Sequence, residues 1–179
     1  MKKSKTVLFG LIFALTACGG GSGGGSGLTG RKVSKEEFIS LAEAADKSFT
    51  VNYATIEYKT WSYGSSEQSG TQNYYYSGGT WQRSGGTSSI TDFANLLNYS
   101  NLAGIINQVK STTVYDEMDT YVEPFGVHVA SGAGGNTMNV MDYQYQENGL
   151  LSYYYQSSST EQVGKVYWQT LTVTYSFVS

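Results

Sequence analysis

Val163-Gly164-Lys165-Val166-Tyr167-Trp168-Gln169-Thr170-Leu171-Thr172-Val173-Thr174-Tyr175-Ser176-Phe177-Val178 is the stretch on which the fold turns. Val163, Tyr167, Leu171, Val173, Tyr175 and Phe177 stand at odd positions, and Thr170, Thr172, Thr174 and Ser176 stand between them. Successive side chains of a strand point to opposite faces. The run therefore predicts a long strand with one apolar face and one face toward water or a polar lining. β-branched and aromatic residues, which pack well on a pleated surface, dominate it.

The segments upstream read the same way. Residues 138–147 and 150–156 are separated by Asn148-Gly149, a pair suited to a two-residue type I′ hairpin, whose central residues both need positive φ. Residues 110–115 and 121–130 predict further strands. Residues 49–63 alternate in two phases, Phe49, Val51 and Tyr53, then Ala54, Ile56 and Tyr58, and a bulge near Tyr53 would reconcile them. Gly64-Ser65-Ser66 predicts a turn, the residues up to Tyr76 a returning strand, and Gly78-Gly79 a break before a short strand over 80–83.

Two regions have helical spacing instead. Ser34 and Glu37 form a capping box, Val33 stands where it would staple onto Phe38, and Phe38, Leu41, Ala42 and Ala45 share a face, predicting a helix over 35–47. Over 90–109, Phe93, Leu96 and Leu97 are followed by Leu102, Ile105 and Ile106, with a slip near Ser100. Two short helices, or one kinked helix capped at Asn98 or Ser100, satisfy that spacing.

Long strands with tight turns, interrupted by helices, define an α+β class: a single curved antiparallel sheet, a half-barrel, with an N-terminal helix and a central helical pair packed on it. The leading helix, the Tyr- and Thr-rich strands and the hairpin Tyr145-Gln146-Glu147-Asn148-Gly149-Leu150-Leu151 together resemble the lipoprotein-carrier superfamily typified by LolA and LppX. The resemblance implies a half-barrel closed by helices over an apolar cavity that takes lipid or another amphiphile.

The chain opens with Lys2, Lys3 and Lys5 and an apolar run over 7–15, the charged and apolar regions of an export signal. The run is well short of the ~20 residues that cross a bilayer. Leu15-Thr16-Ala17-Cys18 resembles the lipobox of bacterial lipoproteins, which implies cleavage before Cys18 and diacylation of its thiol. Two acyl chains of the palmitate kind anchor stably where one binds marginally. Residues 19–27 are only Gly and Ser, a tether composition. The organisation expected is a signal peptide over 1–17, lipidated Cys18 and tether over 18–32, and one domain over 33–179, held to the outer face of a bacterial membrane.

Of 11 basic and 14 acidic residues, three lysines leave with the signal, so the mature protein carries 8 against 14, a net of −6. That balance argues against nucleic acid and against polybasic attraction to anionic lipid, leaving the acyl anchor as the link to the membrane. Cys18 is the only Cys, which excludes an internal disulfide and, once acylated, a Cys nucleophile. One His, His128, stands between Val127 and Val129, on the side away from the valines, and reads as a solvated residue without a nucleophile or metal partner. No metal, cofactor or catalytic residue is assigned. Asp116, Glu117, Asp119 and Glu123 form an acidic patch without EF-hand spacing and read as a solvated turn. Glu57, Asp116, Asp142 and Glu147 are the carboxylates that would have to pair for a hydrolase, and no two stand out. The Gly pairs lack the Lys-Ser/Thr of a phosphate loop.

The aromatic load is the remaining feature: 16 Tyr, 7 Phe and 3 Trp. Tyr74-Tyr75-Tyr76 and Tyr153-Tyr154-Tyr155 put rings on both faces of their strands. Cross-strand packing is the ordinary reading of such rings, and a binding platform the functional one. The leading expectation is a non-enzymatic binder of an apolar or amphiphilic ligand, using Phe93, Leu97, Ile105, Tyr75, Tyr154 and Trp168. The alternative is a surface module that meets a glycan or protein through exposed Tyr and Trp such as Trp61, Trp81, Tyr75 and Tyr154.

Overall fold

A computed structural model describes residues 28–85, 92–111, 120–133 and 137–178, with the backbone alone for 131–133. The leader, Cys18, the 19–27 tract, the predicted strand residues 112–115 and the acidic residues Asp116, Glu117 and Asp119 lie outside the described residues. In chain order the elements are β1 (Lys32–Val33), α1 (Lys35–Ala44), β2 (Tyr53–Ser62), β3 (Gln68–Ser77), β4 (Thr80–Arg83), α2 (Ala94–Tyr99), α3 (Leu102–Ser111), β5 (Thr120–Val122), β6 (Gly126–Ala133), β7 (Thr137–Tyr145), β8 (Leu151–Thr160) and β9 (Gly164–Ser176). The nine strands form one open antiparallel sheet in the order β1-β5-β6-β7-β8-β9-β2-β3-β4. This is an α+β chain in which the sheet dominates.

β9 lies between β8 and β2 and sorts its residues as its sequence predicts: Leu171 and Val173 are buried, while Thr172 and Thr174 are exposed. Its two ends depart from the simple alternation. The register with β8 shifts between Ser158 and Ser159, so Val166 is an extra residue and the phase of Val163 is lost; Val163 stands exposed in the turn. Phe177 lies past the strand and is exposed as well.

One core joins the helices to one face of the sheet. Phe38 and Ala42 of α1, Leu97 of α2, and Leu102, Ile105, Ile106 and Val109 of α3 meet Ala54, Ile56, Tyr74, Val127, Tyr143, Tyr154, Leu171 and Val173 of the strands. Ser34 caps α1 by accepting the Glu37 N–H at 3.1 Å. The helix ends at Ala44 rather than Lys47, because Ala45 is already extended.

Other expectations need correction. The phase shift before Tyr53 is no bulge: β2 starts at Tyr53 and keeps register with both β3 and β9, and Phe49 and Val51 belong to the lead-in. The helical pair is two helices, and the cap of the second is Asn101, whose Oδ1 accepts the Gly104 N–H at 2.8 Å, not Asn98 or Ser100. Lys110 and Ser111 end α3 instead of starting a strand. Residues 121–130 are not one strand, because a turn over Glu123, Pro124 and Phe125 splits them into β5 and β6. The hairpin at Asn148-Gly149 has a three-residue loop: Gly149 N–H bonds to the Gln146 carbonyl, Gln146 N–H bonds to the Leu150 carbonyl, and Gly149 takes φ +80°. That is a type I turn with its left-handed residue at Gly149, so Glu147 belongs to the loop.

Candidate functional site

The six residues expected to hold a ligand do not meet. Phe93, Leu97 and Ile105 are packed into the core, with the Phe93 ring 5.4 Å from that of Tyr58. Tyr154 is buried beside Tyr143, ring centroids 5.1 Å apart, and its hydroxyl donates to Gln156 Oε1 at 2.9 Å. Tyr75 and Trp168 stand on the opposite face of the sheet, at separate places along it: Tyr75 pairs through Tyr53 with Ser176, eight residues along β9 from Trp168. The core side thus uses its aromatic rings to fill space. Tyr74 shows the polar cost and its remedy. Burial pushes its phenol up to about 12, and its oxygen accepts the Phe93 N–H at 2.9 Å, helping to seat the start of α2. Burial likewise pushes up Tyr143, Tyr145, Tyr154 and Tyr175. Of these, Tyr145 keeps a buried hydroxyl with no hydrogen-bond partner among the described residues.

The other face, here called the back face, carries rings that the core does not need. Trp61 of β2 and Trp168 of β9 are direct register partners, both half-buried. The next row along these strands places Lys59, Thr170 and Tyr155 side by side, and the one after it Glu57, Thr172 and Tyr153. Lys165 Nζ donates to the Tyr155 hydroxyl at 3.0 Å and lies 5.7 Å from the ring centroid. Trp81, the third tryptophan, is buried against Tyr76 and Tyr175 instead.

The row through Tyr155 continues to Asp142, His128 and Thr120. Here the sequence expectation for His128 fails. It lies on the predicted side of the strand, yet it is buried, and its Nδ1 is 2.5 Å from Oδ1 of Asp142, itself 2% exposed. A carboxylate oxygen accepts, so the ring donates through Nδ1 in this contact. The two polar groups can be buried because each supplies the other with a hydrogen-bond partner. Two residues along β7 from Asp142, Gln144 Oε1 accepts the Thr29 N–H at 3.3 Å. Gly30 sits so close that a Cβ there would lie 1.8 Å from the Glu123 carbonyl oxygen. One signal was available in sequence: counting equally outward from Gly135 pairs position 128 with position 142.

A groove of about 820 Å³ opens where the C-terminal end of α1 meets the β5–β6 and β7–β8 turns, with Leu41, Ala45, Pro124 and Phe125 among its lining. Arg31 stands at its edge and clamps Glu123 with two hydrogen bonds, of 2.8 and 2.9 Å, while also bonding Glu37 at 2.8 Å. Hydrogen bonding from Arg31 holds the Glu123 carboxyl below the ordinary range, and the Ser48 backbone N–H does the same for Asp46. Among the described residues the carboxylates named for a hydrolase are not gathered. Glu57 is exposed on the back face, Asp142 is buried on His128, and Glu147 lies in the β7–β8 turn; Asp116 lies outside the described residues. Among the described residues no three His, Cys, Asp or Glu side chains are grouped to hold a metal, and no helix is long and apolar enough to cross a membrane.

No protein-family model, no curated protein and no solved structure matches the chain.

Proposed function

We propose that the protein is a lipid-anchored bacterial surface protein, acylated at Cys18, that works by binding rather than catalysis and makes contact through the back face of its sheet. The sheet is read as a curved half-barrel whose inner face is filled by the three helices, which leaves the outer face for a partner. The observation that carries this reading is the pairing of Trp61 with Trp168 on the face away from the core, with Tyr153 and Tyr155 on the adjacent strand. Large rings outside a core add little to folding, and they are the residues that dominate binding where they are only partly covered.

The test has two parts. In a bacterial host fed an alkyne fatty acid, the wild-type chain is expected to take up label and to fractionate with membranes, and Cys18→Ala is expected to lose both. Hydroxyl-radical footprinting of the full chain on intact cells and after purification is expected to show Trp61 and Trp168 protected on cells. Equal reactivity in both states would remove the back face as the contact surface.

A second reading retains one observation in its favour. The groove beside Pro124 and Phe125 has the volume of a small-molecule site and apolar residues in its lining, so an amphiphile would sit there rather than between sheet and helices. Lipid co-purifying with the wild-type chain and lost on Leu41→Asp would favour it.

A further inference from the structure

We infer that the back-face lane Trp61, Trp168, Tyr155 and Tyr153 binds a neutral, linear polysaccharide; the inference rests on the binding role proposed for that face.

The lane's shape comes from sheet geometry. Trp61 and Trp168 face each other across two strands, Tyr155 lies diagonally from Trp168 on the third, and Tyr153 is two residues further along. Neighbouring strands are ~4.8 Å apart and diagonal neighbours ~7–8 Å, so the rings form a continuous oblique track rather than a single pocket. Among the described residues no ring pair in the track stacks face to face, and Lys165 Nζ, 5.7 Å from the Tyr155 centroid, is the ring-directed partner seen there, so the faces are not consumed by one another. A track of π-faces suits a chain of similar flat units that each present C–H groups to a ring.

The residues between the rings specify the chemistry. Thr170 and Thr172 stand between the Tyr and β2 positions and offer hydroxyls that both donate and accept, and Thr172 is exposed. Glu57, Lys59 and Lys165 are charged groups alongside, and Asp142 stands beside Tyr155 on β7, two carboxylates against two ammonium groups, so the lane is close to neutral within a mature protein of net −6. That field repels a polyanion at long range and gives a polycation no local partner, whereas a polyhydroxylated neutral chain meets rings and hydroxyls in alternation. A protein partner is disfavoured on composition. The buried centre of a protein interface is more apolar than its rim and poor in charge, and here threonines and a Glu–Lys pair separate the rings.

The experiment uses the purified full chain in detergent, with cellohexaose, xylohexaose and chitohexaose as neutral probes and hexagalacturonate as the acidic control. Trp81 is buried, so changes in tryptophan emission report on Trp61 and Trp168. At least one neutral probe is expected to shift the emission, with saturation, at a concentration where hexagalacturonate does nothing. Trp168→Ala is expected to weaken that binding at least tenfold, Trp168→Tyr by less because a stacking face remains, and Tyr75→Ala, on the same face but eight residues along β9 from Trp168, not at all. Thermal melts of each variant separate lost binding from lost folding. Absence of a response to all three neutral probes, or equal binding by wild type and a folded Trp168→Ala, overturns the inference. If the tryptophans are nevertheless protected on cells, the contact surface stands and its occupant is a protein; if they are not, the binding role of the face falls too.

Discussion

The two faces of β9 are built from the same backbone and meet opposite fates. Leu171 and Val173 are buried against the helices, and Thr170, Thr172 and Thr174 look the other way. On the inner face, shape is decided by packing: Tyr58 on Phe93, Phe38 on Tyr121, Tyr143 on Tyr154. On the outer face, rings and hydroxyls sit in rows that no helix among the described residues covers. The difference teaches that the aromatic richness of this chain has two separate causes, one of stability and one of surface.

That contrast can be broken by substitution, and the largest effect belongs to the inner face. Phe38 is fully buried, and Phe38→Ala is expected to cost about 3–5 kcal/mol in urea unfolding, whereas Thr172→Ala should stay within about 0.5 kcal/mol. Comparable costs at the two positions would mean that the back face is part of a second core.

The His128–Asp142 pair on the back face is buried and should behave like an interior. Asp142→Ala leaves the buried His128 ring without its acceptor and is expected to cost about 1–3 kcal/mol, well above the threonine substitution on the same face. A smaller loss is expected at the free edge of the sheet. Asn98 donates to the Trp81 carbonyl at 3.0 Å and accepts the Trp81 N–H at 2.7 Å, imitating a further strand for β4, so Asn98→Ala should cost about 1–2 kcal/mol. Tyr145→Phe has the opposite sign. It removes a buried hydroxyl that has no partner among the described residues, and the protein is expected to gain up to about 1 kcal/mol; a loss would mean that the hydroxyl holds an ordered water.

The mildest effect is on titration at the groove. Arg31 lowers the folded-state pKa of Glu123 below its unfolded value, so the clamp stabilises above the unfolded pKa and is lost as pH falls through the folded one. In an NMR pH titration Arg31→Met should move the Glu123 midpoint back up toward that of an ordinary glutamate. An unchanged midpoint would show that the pair does not persist in solution.

How far the sequence reaches differs between elements for definite reasons. The Ser34 cap, the hairpin of β2 and β3 and the faces of β9 were legible because each is local: a side chain reaching its own helix, a turn, a two-residue period. The division of residues 121–130 was harder, although Pro124-Phe125-Gly126 contains the turn residues, because the flanking alternation runs through it unbroken. Asn101 as a cap was hidden among Asn98, Ser100 and itself, three residues of similar capping chemistry. Within the candidate site, Trp61 and Trp168 are 107 positions apart, and nothing local says that β9 returns to lie beside β2.

By itself, then, the sequence determined an antiparallel, sheet-dominated α+β chain, the approximate position of its helices, and the faces of the regular parts of its strands, as in residues 170–175 of β9. Tertiary structure alone decided which face the helices cover, that the residues chosen as ligand contacts around Phe93 are packing residues, that His128 is buried on Asp142, and that two distant tryptophans become neighbours. The physical reason is that periodicity is a property of neighbouring peptide units, whereas strand order and burial depend on how remote segments pack, a choice made by the whole chain at once.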